Sequence, residues 1–283
     1  MKIHFVTGKG GVGKSTVAAA LADFYARSGQ RTLLVELGHQ SFFKDFFSLP
    51  VVDYKPSNIR EKMDISLWSG SECLKEYALH LLKIESLYRL FFENPVSRAL
   101  VNVAPALPEI AILGKITSGP PRNVGPNLPY DVLVVDAYAT GHFLSLLRAP
   151  LGISAAIKYG PMGDQSRSIE KVLKDSTICT YTIVSLPEEM PVTEALELSQ
   201  SLRQDFQIQA NHVLNKVISS SNGQGSEAFE ISMAEAQKSL KLAKEALTNE
   251  KVLELPFVFE NQPWKLIETL AAFFQERTSH VST

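Results

Sequence analysis

The sequence predicts an α/β fold, a doubly wound, mainly parallel sheet that carries a helical insertion. Three observations predict it. Short apolar runs alternate with segments of helical period along most of the 283 residues. The first run leads at once into Gly8-Lys-Gly-Gly-Val-Gly-Lys-Ser-Thr16, a glycine-rich turn between a strand and a helix. A later run, Val132-Leu-Val-Val-Asp136, ends in an aspartate.

Element by element, Ile3–Thr7 is the first apolar strand, and 14–28 is a helix because alanine and leucine recur at helical spacing from Thr16 to Ala26. Further strands are expected at Thr32–Glu36, Val132–Asp136, Ile178–Ser185, His212–Asn215 and Val252–Leu255. Helices are expected at 164–174, 192–205, 226–247 and 263–276. From about 42 to 118 the alternation gives way to strongly apolar, mostly helical sequence, and a Pro/Gly-rich loop, Ser118–Pro129, leads back to the sheet. The expected organisation is one domain over 1–283, with a core of 1–41 and 130–283 and a helical insertion at about 42–129. Ser219–Gly225 reads as a flexible loop, and no internal repeat is present.

Composition narrows the function classes. At 45% hydrophobic and 20% charged residues the chain can bury a substantial core. A net charge of −2 leaves no basic footprint for nucleic acid. The first strand starts at residue 2 or 3, and no apolar run reaches membrane-spanning length, so a soluble, cytoplasmic chain without an integral membrane segment is expected. Cys73 and Cys179 are the only cysteines, which fits a reducing compartment and supports neither a disulfide framework nor a zinc site.

Gly8, Gly13, Lys14 and Ser15 stand at P-loop spacing. In such a loop Gly8, Gly10, Gly11, Val12, Gly13 and Thr16 offer backbone N–H groups to phosphates, because glycines keep Cβ atoms away and permit positive φ. Lys14 would reach the β- and γ-phosphates, and Ser15 would bind Mg²⁺. Asp136, at the end of its strand, is placed to hold a Mg²⁺-bound water, with N-capping as the plainer use of such a residue.

Lys9 is superfluous to that cradle. A lysine directly after the first glycine resembles the deviant Walker A loop of the family that contains ArsA, MinD, ParA and the nitrogenase iron protein. The resemblance implies ATP and Mg²⁺ as ligands and a dimer that closes face to face, with Lys9 crossing to the partner's nucleotide. Asp136-Ala-Tyr-Ala-Thr-Gly-His142 resembles the switch II of the ArsA branch, with Tyr138 and Ala139 replacing family residues and Gly141 letting the turn move. Val184-Ser-Leu-Pro-Glu-Glu-Met-Pro and Gly160-Pro-Met-Gly-Asp-Gln are similar to bacterial members of that branch, and Ala104-Pro-Ala-Leu-Pro-Glu resembles the family's helix that follows the insertion. Asn215 matches the asparagine that bonds adenine there, with a turn-forming amide as the alternative, and Pro256 and Phe257 match the loop over the base.

The departures are as informative. Where ArsA-like ATPases carry a switch I aspartate that orients the attacking water, this chain has Gly38, with Glu36 two positions earlier. His39 or Gln40 could take over that water, or nothing does and hydrolysis is slow, by about 10² to 10⁴. Two isolated cysteines supply neither the thiol cluster arsenite needs nor a shared zinc or iron–sulfur site. The expected protein is a Mg-dependent ATPase acting as a homodimer or paired with a related ATPase. The alternative is a nucleotide-binding chaperone or scaffold subunit that does not turn over. Leu74–Phe92 is apolar around much of its girth, and Phe42, Phe43, Phe46 and Phe47 form a second cluster. Core packing accounts for both, and a groove for a hydrophobic protein client is the other reading.

Overall fold

A computed structural model describes residues 1–82, 106–119, 122, 124–125, 127–159, 161–218 and 227–280. Its centre is an eight-stranded sheet of β1 (Lys2–Gly8), β2 (Thr32–Leu37), β3 (Ser57–Arg60), β4 (Met63–Trp68), β5 (Val132–Ala139), β6 (Cys179–Ser185), β7 (Ala210–Val217) and β8 (Val252–Pro256). The strand order is β3-β4-β2-β5-β1-β6-β7-β8, and every pairing is parallel except β3 with β4. The doubly wound α/β class expected from sequence is the one observed.

Parallel strands covered on both faces read as continuous apolar runs, because residues of either parity are buried. Ile3, Phe5, Leu33, Val35, Leu133 and Val135 face one side of the sheet. There they meet helices α3 (Gly70–Leu82), α4 (Leu107–Ile116), α5 (Thr140–Ala156), α6 (Pro161–Lys174) and α7 (Glu189–Phe206). Val6, Leu34, Val132 and Val134 face the other side, against α1 (Lys14–Arg27), α2 (Phe42–Phe46) and α9 (Pro263–His280). Helix α8 (Glu227–Ala246) packs Ala243 on Val192 of α7 and Leu214 of β7 in a smaller cluster.

The expected helical character of 42–118 needs correcting. Residues 57–68 are β3 and β4, and β4 pairs in register with β2 from Thr32–Met63 to Leu37–Trp68. Met63, Ile65 and Trp68 are fully buried, so it is pairing with the sheet that decides this segment rather than local propensity. Of the apolar stretch Leu74–Phe92, residues 83–92 lie outside the described residues, as do Ala104 and the loop at 219–225.

The phenylalanine cluster is core on one side. Phe43 and Phe47 are buried, and Phe47 stacks on Trp264 of α9 with ring centroids 4.1 Å apart. Beside it, fully buried Asp23 accepts from Arg27 Nε at 2.6 Å and from Arg60 Nη1 at 2.9 Å, tying α1 to β3. Arg27 and Arg60 also reach Glu268 of α9 at 2.7 and 2.6 Å. Asp23→Ala leaves both guanidiniums without their central acceptor. Discounted for their partial exposure, the loss should be about 2 kcal/mol, read as a lower urea midpoint with unchanged slope.

Candidate functional site

The carboxyl ends of β1, β2 and β5 meet at one edge of the sheet, where ligands of open α/β sheets bind. From β1 the chain turns through residues 8–13 into α1. Gly13 is the N-cap of α1 at φ +93°, with no side-chain cap. A Cβ there would stand 2.4 Å from Asn215 Nδ2, so the position excludes other residues by conformation and by space. The first N–H groups of α1 are thereby left for an anion, with the helix dipole behind them.

Opposite this turn, strand register sets Glu36 and Val6 beside Asp136. All three therefore point to the α1 face. Asp136 is 7% exposed, and its Oδ1 has no hydrogen-bond partner among the described residues. Burial raises its pKa to about 7, against the lowering effects of the Ser15 hydroxyl and Lys14, and Glu36 raises it further. Burial likewise pushes the Lys14 ammonium down, while Asp136 holds it up. Among the described residues Lys14 Nζ has the Lys9 carbonyl as its one hydrogen-bond acceptor, at 3.2 Å.

A buried carboxylate oxygen without a partner, beside a serine hydroxyl and a lysine, fits a hard divalent cation bound together with phosphate oxygens. Ser15 and Asp136 would hold it. That arrangement needs no larger ligand cluster, and among the described residues no group of three or more His, Cys, Asp or Glu is placed around a metal.

Glu36 has other work. Ser41 Oγ donates to its Oε2 at 2.5 Å and the Phe42 N–H donates to its Oε1 at 2.6 Å, while Ser41 Oγ caps α2 by accepting from Lys44 N–H. Burial raises the Glu36 pKa against those bonds. Gly38 bonds the Trp68 carbonyl through its N–H at 3.1 Å and takes φ +158°, a backbone that L side chains rarely adopt. His39 and Gln40 follow as exposed residues.

Lys9 Nζ pairs with Glu194 Oε1 of α7 at 2.5 Å within the same chain. Thr7 Oγ1 donates to the Tyr138 carbonyl at 2.8 Å, and the Tyr138 ring stacks on His142 with centroids 3.7 Å apart. Gly141 lies exposed in the first turn of α5, where a Cβ would meet nothing within 4 Å. Asn215 is buried and its Nδ2 donates to the Val12 carbonyl at 2.9 Å, so it braces the glycine-rich turn. Pro256 ends β8, and Phe257 beyond it donates its N–H to the Val217 carbonyl at 2.9 Å and is 43% exposed.

Of the residues singled out from sequence, the fold brings Lys9, Lys14, Ser15 and Asp136 to one end of the sheet, with Asn215 behind the turn. Three participants escaped sequence reading. Glu194 is 185 positions from Lys9, and nothing local marks it as a partner. The anchoring of α2 by Glu36 could have been found from Ser41, a capping residue type before an apolar run. Thr7, the last residue before the glycines, gave no signal of its hold on Tyr138.

A parallel sheet with a glycine-rich turn capping its first helix, and a strand-end aspartate facing that turn, defines the P-loop NTPase fold. Within that class the chain belongs to the anion-transporting ATPase (ArsA) family, whose pattern matches residues 1–160 and 159–275. ATPase BagA of Mycobacterium tuberculosis is 32% identical over 211 residues, covering 72% of this chain and 62% of that protein. ATPase ASNA1 homolog 1 of Paramecium tetraurelia is 23% identical over 255 residues, covering 77% and 75%. ATPase GET3B of Arabidopsis thaliana is 23% identical over 257 residues, covering 72% and 61%. The matched part spans about three fifths of the mycobacterial relative's length. Among the described residues no helix is long and apolar enough to cross a membrane.

Proposed function

We propose that this chain binds Mg·ATP at residues 8–16 and hydrolyses it slowly, and that ATP draws two subunits together face to face. The single observation that carries the reading is buried Asp136, its Oδ1 without a partner, facing Ser15, Lys14 and the uncapped start of α1. Backbone N–H groups of the turn hold the phosphates and Lys14 spans the β- and γ-phosphates. Ser15 and Asp136 would hold Mg²⁺, which would supply neutralisation of the phosphate charge. Asn215 supports the turn from behind, and Phe257 offers an apolar wall for the base.

Slow turnover follows from the strand end after β2. Glu36 is committed to α2 through both oxygens, and Gly38 has no side chain to orient water. The same observation favours a second reading, a nucleotide-binding subunit that pairs with an active relative and does not itself turn over. In both readings the nucleotide state passes from β5 toward α3 and α4. Tyr138 packs against their apolar core, and Cys73 and Glu109 act on its hydroxyl.

Dimer closure requires Lys9 to leave Glu194. The pair is partly exposed, 38% and 31%, so exchanging Glu194 for a partner's phosphate has a small cost. Sedimentation with a nonhydrolysable ATP analogue should show Mg-dependent association that Lys9→Ala weakens by about 10²-fold, one charge-assisted contact at each of two sites. A chain that stays monomeric with Mg²⁺ and analogue contradicts face-to-face closure, whether the second subunit is a copy or a relative tested as such.

A further inference from the structure

We infer that the cavity between α3, α4 and α6 is a binding site for a short-chain monocarboxylate. It encloses about 120 Å³ and is lined by Cys73, Tyr77, Ala111, Gly114, Arg122 and Gln165 among others. None of these residues belongs to the nucleotide site.

The chemistry is set by two donors that converge on one spot. Arg122 gives Nε–H to the Thr117 carbonyl at 3.0 Å, one Nη2–H to the Gly114 carbonyl at 2.5 Å and a long bond from Nη1 to Ser168 Oγ at 3.4 Å. Each of these acceptors is neutral, and among the described residues two of the five guanidinium N–H groups have no acceptor. Among the described residues no carboxylate pairs with it, because Glu76, the acid on this cavity, is taken by Lys115 at 2.5 Å. Burial lowers the Arg122 pKa to about 10, as expected of a cation short of a counter-charge. Gln165 accepts from the Tyr77 hydroxyl through Oε1, so its amide nitrogen is turned the other way and makes no bond among the described residues. Gln165 Nε2 and Arg122 Nη2 lie 3.6 and 3.9 Å from where a Cβ on Gly114 would stand. The space over Gly114 is therefore flanked by an amide donor and a guanidinium donor.

One positive charge without a counter-charge among the described residues calls for a monoanion rather than a phosphate dianion. The walls formed by Cys73, Ala111 and Val124 suit an alkyl tail. An engineered cavity of about 150 Å³ holds the six carbons of benzene, so this one suits about five or six heavy atoms, the size of butyrate.

Calorimetric titration of the full chain with butyrate tests the site, with butyramide as the neutral isostere and inorganic phosphate as the small-anion control. Saturable butyrate binding is expected, with butyramide and phosphate at least about tenfold weaker. Arg122→Gln should weaken butyrate at least about tenfold. Arg122 also caps the end of α4, so that variant can lose stability. Gly114→Ala is the cleaner probe. Beyond the helix's own backbone, no atom of the described residues lies closer than 3.6 Å to the added methyl, and alanine favours the helix, yet the methyl occupies the seat between the two donors. It should fold as well as the parent and lose butyrate binding. Unsaturable heats, butyramide or phosphate binding as tightly, or unchanged affinity in Gly114→Ala would each overturn the site and leave Arg122 a helix cap only.

Discussion

Lys14→Ala is expected to weaken ATP binding by at least about 10²-fold and to remove any phosphate release. Charge-assisted hydrogen bonds are worth about 1.5–3 kcal/mol each, and this ammonium would serve two phosphates. The fold has little stake in it. Among the described residues Lys14 Nζ makes one hydrogen bond, to the Lys9 carbonyl at 3.2 Å, and its charge is already disfavoured by burial. Titration of the variant with a fluorescent ATP analogue, beside a melting curve within about 2 °C of the parent, separates function from stability. Retained affinity would show that the phosphates are held elsewhere.

Asp136→Asn is expected to act in opposite directions on stability and on function. Asp136 is raised to about 7, above the 3.8 of an unhindered carboxyl, chiefly by burial. The folded state therefore binds this proton more tightly than the unfolded chain. The resulting stability is fully present below about pH 4, falls as pH rises through 7 and is level above that, a loss on the order of 4 kcal/mol. Asparagine cannot ionise, so without nucleotide the variant should melt higher than the parent at pH 8 and about equally at pH 4. With Mg²⁺ and ATP the order should reverse. The parent gains stability by ligand linkage and the variant loses the Mg-dependent part of that gain. A variant that melts lower at pH 8 without nucleotide would contradict a carboxylate disfavoured by burial, and one that keeps the Mg-dependent gain would remove Asp136 from the metal's neighbourhood.

The parallel core was legible because strands buried on both faces leave unbroken apolar runs, as at Val132–Val135, while the helices between them keep a polar face. β3 and β4 were not. Met63-Asp-Ile-Ser-Leu-Trp68 is short, sits in a long apolar region and becomes a strand by pairing with β2. In the site, residues set by local backbone demand could be read directly, Gly13 and Lys14 among them. Contacts made across the fold could not. Nothing near Lys9 announces Glu194, and Asn215, matched to a base-binding role, is found bonded to the turn's own Val12 carbonyl. Gly38 looked like a lost aspartate. Its φ of +158° and its bond to Trp68 tie it to the end of β4, a strand that sequence reading had missed.

Single-turnover phosphate release with chain in excess over Mg·ATP tests the proposed activity most directly, run on the parent and on Lys14→Ala. A slow first-order release is expected from the parent, about 10² to 10⁴ below an ATPase with its water-orienting acid in place. It should vanish without Mg²⁺ and in the variant. ATP that binds yet is recovered intact, alone and with a related subunit added, would contradict the enzyme and leave a nucleotide-holding subunit in its place.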